Sequence, residues 1–493
     1  MSLSSFITAF DNLLWSPIPV LQNVPLLGWL SPLAILLVGT GIWFSFATGF
    51  IQVRKFGEGM KNVFGGLFKK SEKAGAHGMS SFQALCTAIA AQVGTGNIVG
   101  ASTAIAVGGP GAIFWMWIAA FFGMATIFVE ATLAQKYKKV GDDGHVTGGP
   151  VYYISAAFKG GFGKCLAALF AILIILSLGF MGCAVQSNGI VDAWRTVAEH
   201  ANLDEGTVNM IMIIIGVVLA VIALLIFVGG ISAIASFTEK IVPAMAVIFI
   251  IGSLIVIIAH ANTIPTIFAL IFKGAFNGQA LAGGATGWII SQALSKGVAR
   301  GLFSNEAGMG STPHAHAVAK VDHPVDQGYT AMIGVFIDTF IILDLTAFVV
   351  IGSYIAPNLT NAEIFKPDGT LVLTGANLAQ AGFSSLYGSF GNIFIAFCLT
   401  FFAFSTVIGW YFFGATNWKY LFGSKTIKLY AVLVSVCVFF GAFATLKNNG
   451  ALLLETNDIW NLQDALNGLM VIPNLLGILA LTGVAIAVMK EKK

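Results

Sequence analysis

Residues 90–100 of this chain read AAQVGTGNIVG and interrupt an otherwise apolar segment. Glycine weakens a helix, and threonine, glutamine and asparagine carry polar groups that hydrocarbon cannot solvate. In a membrane, broken backbone survives only where it is buried in protein or lines a hydrated cavity. The stretch therefore predicts a helix that is broken at membrane depth in order to build a site.

The composition places the chain in a bilayer. Of its 493 residues 57% are hydrophobic and only 10% are charged, whereas soluble proteins carry about 25% charged residues. The net charge of +3 is too small to indicate a nucleic-acid partner. Five scattered cysteines favour neither a disulfide framework nor a CxxC metal site.

A helix that crosses the hydrocarbon core needs about 20 apolar residues. With that window the sequence predicts about eleven transmembrane helices in an all-α polytopic membrane protein. The predicted spans are 28–52, 80–107, 110–136, 163–186, 207–229, 238–260, 286–311, 327–356, 388–413, 427–446 and 466–488.

Positive charge alternates along the connections between these spans. Lysine and arginine gather on the cytoplasmic side of membrane proteins, so the basic connections predict an N-terminus outside and a C-terminus in the cytoplasm. The basic connections hold Arg54, Lys55, Lys61, Lys69, Lys70 and Lys73, then Lys136, Lys138 and Lys139, then Lys419, Lys425 and Lys428, and the chain closes with Lys490, Lys492 and Lys493.

A second interruption, RGLFSNEAGMGS at 300–311, lies in the seventh span. With the first span set aside, spans two to six and seven to eleven form two sets of five, each opening with an interrupted helix. An odd number of spans per set inverts the second set, and paired interruptions in inverted halves indicate the binding site of a secondary transporter. The predicted organisation is an extra helix and first cytoplasmic loop at 1–79, a first repeat at 80–262 broken at 94–97, and a second repeat at 263–493 broken at 301–311.

Three stretches resemble the alanine or glycine:cation symporter family, also called the sodium:alanine symporters. They are GTGNIVGASTAIAVGGPGAIFWMWIAAFFGMATIFVEATLAQKY at 94–137, GGPVYYI at 148–154 and GLFSNEAGMGSTPHAHAVA at 301–319. The resemblance extends from about residue 30 to the end of the chain. It implies the leucine-transporter fold, a 5+5 inverted repeat, preceded by one extra N-terminal helix. It also implies co-transport of a small neutral amino acid with sodium.

The resemblance implies a substrate site at the two breaks. The amides of Thr95 and Gly96 would meet the substrate carboxylate, with the Asn97 side chain nearby. The opposite wall would come from the second break, Gln186 would bond the polar end of the substrate, and Trp410 would close over an alanine-sized side chain. The second-break residues are Phe303, Ser304 and Asn305.

The resemblance likewise implies a sodium site. The carbonyls of Ala90 and Val93 would face the ion from the first broken helix. The ninth span, in its sequence FFAFST at 401–406, would add the Phe402 carbonyl and the Ser405 and Thr406 hydroxyls. These three residues lie within about one helical turn, so all can face one ion. Gln92 carries no assigned role, and either bonds freed backbone or faces the pocket.

Ionisable residues in the spans are candidates for function. Glu306 in the second break could bind a cation, relay a proton or accept hydrogen bonds from unwound amides. For Glu130 a structural role is favoured. Asp338 and Asp344 are six residues apart, on different helix faces, and one of them could pair with Arg300 or Lys296. His314 and His316 indicate a loop or a helix start more than a metal site.

The leading hypothesis is a sodium-coupled symporter of alanine, glycine or a similar small neutral amino acid in a prokaryotic inner membrane. Glutamine or serine as substrate, and coupling to protons, remain open. A passive channel is disfavoured because no ring of charge or carbonyl-filter repeat is present. No P-loop and no nucleophile–base pair occur, so neither an ATP-driven pump nor an enzyme is expected. The expected partners are the amino acid, the sodium ion and the bilayer, with no other cofactor and no nucleic acid.

Overall fold

The computed structural model describes residues 9, 12–16, 18, 30–67, 78–140, 146–276, 286–366, 370–448, 451–452 and 456–492. Nearly all of these residues are helical, and the strands are two-residue pairs. Of the basic residues that predict the orientation, Lys69, Lys70, Lys73 and Lys493 lie outside the described residues.

The N-terminal region forms helix α1 (Pro32–Ala47), the single turn α2 (Ile51–Arg54) and helix α3 (Phe56–Leu67). Helix α1 begins where Ser31 accepts a hydrogen bond from the Ala34 amide at 3.1 Å, with Pro32 in the first turn. Serine at the N-cap and proline at the first helical position are the residues that a helix start favours.

The first repeat begins with strand β1 (Met79–Ser80) and helix α4 (Ser81–Gln92). Ser80 and Gln83 form a capping box at the start of α4. Helix α5 (Gly96–Gly108) continues the span after a bend of 44° and opens with one π-helical turn. The remaining elements up to residue 262 are α6 (Gly111–Lys136), β2 (Lys139–Val140), β3 (Val146–Thr147), α7 (Pro150–Ala157), α8 (Gly160–His200), α9 (Glu205–Val228) and α10 (Gly230–Ala259). Helix α11 (Ile264–Phe276) follows, within the range predicted for the second repeat.

Helix α12 (Thr286–Asn305) is followed after a non-helical segment by the short helix α13 (Pro313–Ala317). Strand β4 (Ala319–Lys320) pairs in parallel with β1, so the start of α4 and the end of α13 lie side by side. The remaining elements are α14 (Pro324–Asn358), α15 (Gly375–Tyr387), α16 (Ser389–Phe422), α17 (Ser424–Phe443), β5 (Lys447–Asn448), β6 (Ala451–Leu452), α18 (Thr456–Ala480) and α19 (Thr482–Glu491).

Small residues bring the helices into close contact. A Cβ on Gly297 of α12 would lie 2.5 Å from the carbonyl oxygen of Ala112 in α6. A Cβ on Gly441 of α17 would lie 2.0 Å from the carbonyl oxygen of Ala184 in α8. These contacts are the backbone-to-backbone packing that glycine permits in membranes.

Eight described helices are long and apolar enough to cross a membrane, and there are nine if α4 and α5 are counted as one broken span. Two further predicted spans correspond to helices outside this count. Helix α1, of only 16 residues, lies in span 28–52, and α12 lies in span 286–311. The total of eleven therefore stays a prediction, while the all-helical, polytopic class is confirmed. Outward apolar residues such as Ile214 (55% exposed) and Ile258 (70% exposed) give α9 and α10 lipid-compatible faces.

Candidate functional site

The first break frees backbone groups that side chains then bind. Helix α4 ends as the Val93 amide donates to the Ile89 carbonyl at 2.7 Å. The next amide, that of Gly94, donates to Asn97 Oδ1 at 3.0 Å. The Thr95 amide donates to Gln186 Oε1 on α8, also at 3.0 Å. The asparagine and the glutamine thus supply acceptors where the helical ladder has none.

Oxygen atoms from two helices converge on Thr406 of α16. Its Oγ1 lies 2.8 Å from the Ala90 carbonyl oxygen and 3.4 Å from that of Val93. It also lies 3.1 Å from the carbonyl oxygen of Phe402, one turn earlier on α16. The first broken helix and α16 therefore meet through backbone carbonyls and a hydroxyl.

Ser405 adds a second hydroxyl, which donates to the Phe402 carbonyl at 2.8 Å. Ala90, Val93, Phe402, Ser405 and Thr406 are each at most 1% exposed. The structure thus brings all five of the predicted sodium-site residues together. Among the described residues no group of three His, Cys, Asp or Glu could hold a metal, and carbonyl and hydroxyl oxygens are the hard ligands that small alkali cations accept.

Gly94 is required at this meeting point. A Cβ there would lie 2.3 Å from Thr406 Oγ1 and 3.0 Å from Gln186 Oε1. Real Cβ atoms do not approach other heavy atoms that closely, so any larger residue would displace the side chain of Thr406 from its contacts with the break.

The second break follows Asn305, the last residue of α12. Three residues in the next five take positive φ values, namely Glu306 at 58°, Gly308 at 90° and Gly310 at 77°. The amides of both glycines donate to the carboxylate of Glu130 on α6, each at 3.1 Å. Glu130 therefore has the structural role that the sequence favours, as an anchor for the unwound backbone.

The two breaks touch each other at Gly96. A Cβ on Gly96 would lie 2.9 Å from the Cα of Ser304. Asp338 of α14 joins the two sides, because its Oδ1 accepts from Asn97 Nδ2 at 2.6 Å and from Ser304 Oγ at 3.0 Å. The carboxylate of Asp338 is completely buried.

Asn305 and Gln92 also connect the breaks. Gln92 Nε2 donates to the Asn305 carbonyl at 2.7 Å, which is the first of the two roles left open for Gln92. The Asn305 side chain accepts from the Ala307 amide at 3.1 Å and approaches Thr339 Oγ1 at 3.3 Å. The side chain of Asn305 is thus bound within the second break and to α14.

Aromatic rings line one side of the site. Phe303 and Trp410 are in edge-to-face contact, with centroids 5.9 Å apart. The indole N–H of Trp410 donates to the carboxylate of Glu306, which also accepts from Ser311 Oγ at 2.5 Å. A Cβ on Gly182 would lie 2.5 Å from the Trp410 ring, so the indole packs directly on α8.

The remaining charged candidates lie apart from the oxygen cluster. Arg300 pairs with Asp464 of α18 at 2.8 Å, and not with Asp338 or Asp344 as the sequence allowed. Asp344 accepts from the indole of Trp117 at 2.7 Å. Each aspartate thus has a polar donor on a helix other than its own.

The two predicted candidates in the His-x-His motif have side-chain partners of their own. His314 Nε2 lies 2.8 Å from the Asn417 amide nitrogen, and His316 Nδ1 lies 2.8 Å from the amide nitrogen of Gln327. Both histidines are buried in α13. The histidines lie in a short helix that begins at Pro313, as the helix start predicted from the sequence requires. The side chain that each ring nitrogen contacts is an amide, which is not one of the usual metal ligands.

Asp338 is the site residue whose role the sequence did not indicate. The signal was present as a carboxylate in an apolar span, but its partners Asn97 and Ser304 are 241 and 34 residues away. Only the packing of α14 against both breaks brings the three side chains together.

The chain is similar over most of its length to known transporters. The model of the sodium:alanine symporter family matches residues 18–492. The sodium/alanine symporter AgcS of Methanococcus maripaludis is 38% identical over 488 residues, 99% of this chain and 96% of that protein. The probable sodium/glutamine symporter GlnT of Bacillus subtilis is 40% identical over 464 residues, 94% of this chain and 88% of that protein.

Among solved structures, the crystal structure of MhsT in complex with L-phenylalanine has a TM-score of 0.57 at 14% identity. The match covers 85% of this chain and 99% of the other. At that identity the likeness concerns the fold, which is the leucine-transporter fold that the sequence predicted.

A broken-helix fold with a buried oxygen cluster at its centre defines a secondary transporter of the membrane. The chain belongs to the sodium:alanine symporter family. It is a multi-pass membrane protein that carries out sodium-coupled amino-acid symport, and it is not an enzyme.

Proposed function

We propose that this protein takes up a small neutral amino acid, such as alanine or glycine, together with sodium by alternating access. The observation that carries the proposal is the convergence of the Ala90, Val93 and Phe402 carbonyls on the Thr406 hydroxyl at the first break. Breaking a helix in hydrocarbon is costly, and binding of the coupled ion and the substrate accounts for that cost.

The sodium ion would bind at this oxygen cluster. Ser405 donates to the Phe402 carbonyl. A hydroxyl can donate to one acceptor at a time, so the Thr406 proton cannot satisfy both the Ala90 and the Val93 carbonyl. A cation satisfies them together, and the hydroxyls of Thr406 and Ser405 then serve as acceptors. Because the carbonyls come from the first broken helix and from α16, the ion would fix these two elements relative to each other.

The substrate carboxylate would bind beside the ion. In the structure the Thr95 amide donates to Gln186 Oε1 at 3.0 Å, and an amide oxygen presents the same acceptor as a carboxylate oxygen. We infer that the carboxylate replaces Gln186 at the Thr95 amide and also binds the Gly96 amide, while Gln186 turns to bond the polar end of the substrate. Asn97 holds the break open through its bond to the Gly94 amide.

The aromatic pair supports a small side chain. Trp410 is held by Glu306 and by close packing on Gly182, and Phe303 lies edge-on to it. Fixed rings leave little freedom to enlarge the site, which favours alanine and glycine. Glutamine is the alternative to test, because the relative GlnT is named a probable sodium/glutamine symporter. Serine is a third candidate, differing from alanine by one hydroxyl.

We place the protein in a prokaryotic inner membrane with the N-terminus outside and the C-terminus in the cytoplasm. The support is the concentration of lysine and arginine on alternate connections. The two five-helix repeats at 80–262 and 263–493 would move relative to each other around the fixed site.

Uptake of labelled alanine into proteoliposomes tests the proposal. An inward sodium gradient should drive accumulation above the outside concentration, and unlabelled glycine should compete strongly while glutamine competes weakly. If glutamine competes as strongly as alanine, the assignment of alanine or glycine as substrate is wrong and glutamine takes its place.

The same vesicles with a proton gradient alone separate the coupling ions. Accumulation under that condition would overturn sodium coupling and direct attention to Glu306 as a proton carrier. Equilibration without accumulation would indicate a passive channel. Loss of sodium-driven uptake in Thr406→Val would connect the result to the oxygen cluster.

A further inference from the structure

A cavity of about 520 Å³ lies between the ends of α9, α10, α16 and α17, beside the β2–β3 hairpin. Its volume is in the range of about 300–1,000 Å³ that small-molecule sites occupy. None of the predicted substrate or sodium residues lines it. The cavity is therefore separate from the transport site.

The cavity has a cationic rim. Lys419 and Lys428 line it from α16 and α17, and a third amine, that of Lys139, lies 5.6 Å from the ring of the lining residue Tyr152. Among its described lining residues there is no aspartate or glutamate. Asp142 and Asp143, between β2 and β3 in the sequence, lie outside the described residues.

The floor of the cavity is apolar and continues onto the lipid-facing surface. Phe227 and Tyr411 stack at 3.7 Å between their centroids and form part of the floor. Val228 lines the cavity and is 61% exposed, and Leu225, one turn earlier on α9, is 69% exposed. An occupant could thus extend from the cavity into the hydrocarbon without crossing polar surface.

The lining of the cavity also includes hydrogen-bond donors. The first residues of the 30-residue helix α10 line it, and the N-cap residue Gly229 has no side chain to bond their amides. Helix N-termini favour anions. The hydroxyls of Ser232, Thr416 and Ser424 are among the lining groups.

We propose that this cavity binds the headgroup of an anionic phospholipid of the membrane. The phosphate lies between Lys419, Lys428 and the start of α10, and an acyl chain follows the apolar floor past Val228 onto the outer face of α9. Basic pockets between helices at the cytoplasmic side bind such lipids, and the lysines here are in the connection that the charge pattern places in the cytoplasm. The inference concerns a site beyond the proposed transport function.

Native mass spectrometry of the purified protein, titrated with phosphatidylglycerol or with phosphatidylcholine of the same acyl chains, tests the site. The wild type should retain phosphatidylglycerol in preference to phosphatidylcholine. Lys419→Gln with Lys428→Gln should weaken phosphatidylglycerol binding about 25-fold, because each lysine near the headgroup contributes about a factor of five. Lys61→Gln with Lys136→Gln removes two exposed charges elsewhere on the basic side and should leave binding unchanged.

A cavity-filling variant separates the cavity from surface charge. Thr416→Trp keeps both lysines and should abolish preferential binding, and Ser232→Trp provides the same test from α10 if Thr416→Trp fails to fold. The proposal is overturned if the two lipids bind equally, if the lysine double variant binds like the wild type, or if sn-glycerol 3-phosphate displaces phosphatidylglycerol at equal concentration, which would make the site one for a free phosphate.

Discussion

The hydroxyl of Thr406 lies within 3.4 Å of three carbonyl oxygens from two helices, in a fully buried position. The Phe402 carbonyl also accepts from Ser405, and the one proton of Thr406 can satisfy only one of the other two carbonyls. Buried acceptors without a partner cost about 1–3 kcal/mol each, so this cluster is unfavourable unless something positive joins it. At the scale of single residues, the case for sodium rests on this surplus of acceptors.

Thr406→Val removes the hydroxyl and keeps the shape of the side chain. We expect the sodium concentration for half-maximal uptake to rise about tenfold, because one ligand of the ion is lost at a cost of roughly 1–2 kcal/mol. Uptake of alanine at varied sodium measures the effect. Thr330→Val on α14 is the matched control, since that buried hydroxyl bonds only the Asp326 carbonyl of its own helix at 3.0 Å. An unchanged sodium dependence in Thr406→Val would place the ion elsewhere.

Asn97→Ala tests the substrate side of the first break. Asn97 accepts from the Gly94 amide and donates to Asp338, so alanine leaves a buried amide and a buried carboxylate with one partner fewer. We expect the KM for alanine to rise at least tenfold at saturating sodium. Asn358→Ala, at the end of α14 where the side chain bonds only the Tyr354 carbonyl, should behave like the wild type. Equal KM values in both variants would remove Asn97 from the site.

At the scale of elements, both breaks have the same arrangement, in which unwound amides bind side chains from helices that are intact there. Gln186 on α8 accepts from the first break, and Glu130 on α6 accepts from the second. The unbroken helices thus provide fixed acceptors, which lets the broken ones remain non-helical without water. The second break has the stronger anchor, since its acceptor is a carboxylate.

Glu130→Gln should destabilise the second break. Glu130 accepts from the amides of Gly308 and Gly310 and from Asn474 Nδ2 at 2.5 Å. A glutamine has one acceptor oxygen, so at least one of these donors loses its partner. We expect the free energy of unfolding to fall by about 1–3 kcal/mol, seen as a lower Tm of the purified protein in detergent. Glu58→Gln, at an exposed pair with Lys55, should leave the Tm unchanged.

The sequence could locate the breaks because glycine and polar residues at membrane depth are costly unless they form a buried, non-helical site. It could not define the full length of every helix. Helix α8 extends to His200, whereas the apolar window ends at 186, because the polar residues that follow, such as Asn188 and Arg195, continue the helix on its protein-facing side. Nor could it pair Asp338 with Asn97, since that contact depends on how α14 packs against the first break.

At the scale of the whole molecule, basic residues that the sequence places on the cytoplasmic side are found near one end of the helices. Strands β1 and β4 bring the start of α4 and the end of α13 together. The basic first connection precedes β1, and Lys419 and Lys428, at the adjoining ends of α16 and α17, form the rim of the proposed lipid-headgroup cavity. If that end is cytoplasmic, the turn between α8 and α9 faces outward.

Cysteine labelling of intact cells tests this orientation. In a Cys165→Ser background, which removes the exposed native thiol, Lys61→Cys on α3 and Ala201→Cys after α8 introduce single exposed positions. A membrane-impermeant maleimide should label the residue-201 variant in intact cells, because that connection lacks the concentration of positive charge that marks the cytoplasmic side. The residue-61 variant should react only after lysis. The opposite pattern would mean that the protein has the inverse orientation, with the lysine-rimmed cavity at the outer leaflet. Labelling of both variants in intact cells would contradict a uniform orientation, and the background protein without either new cysteine reports the residual signal.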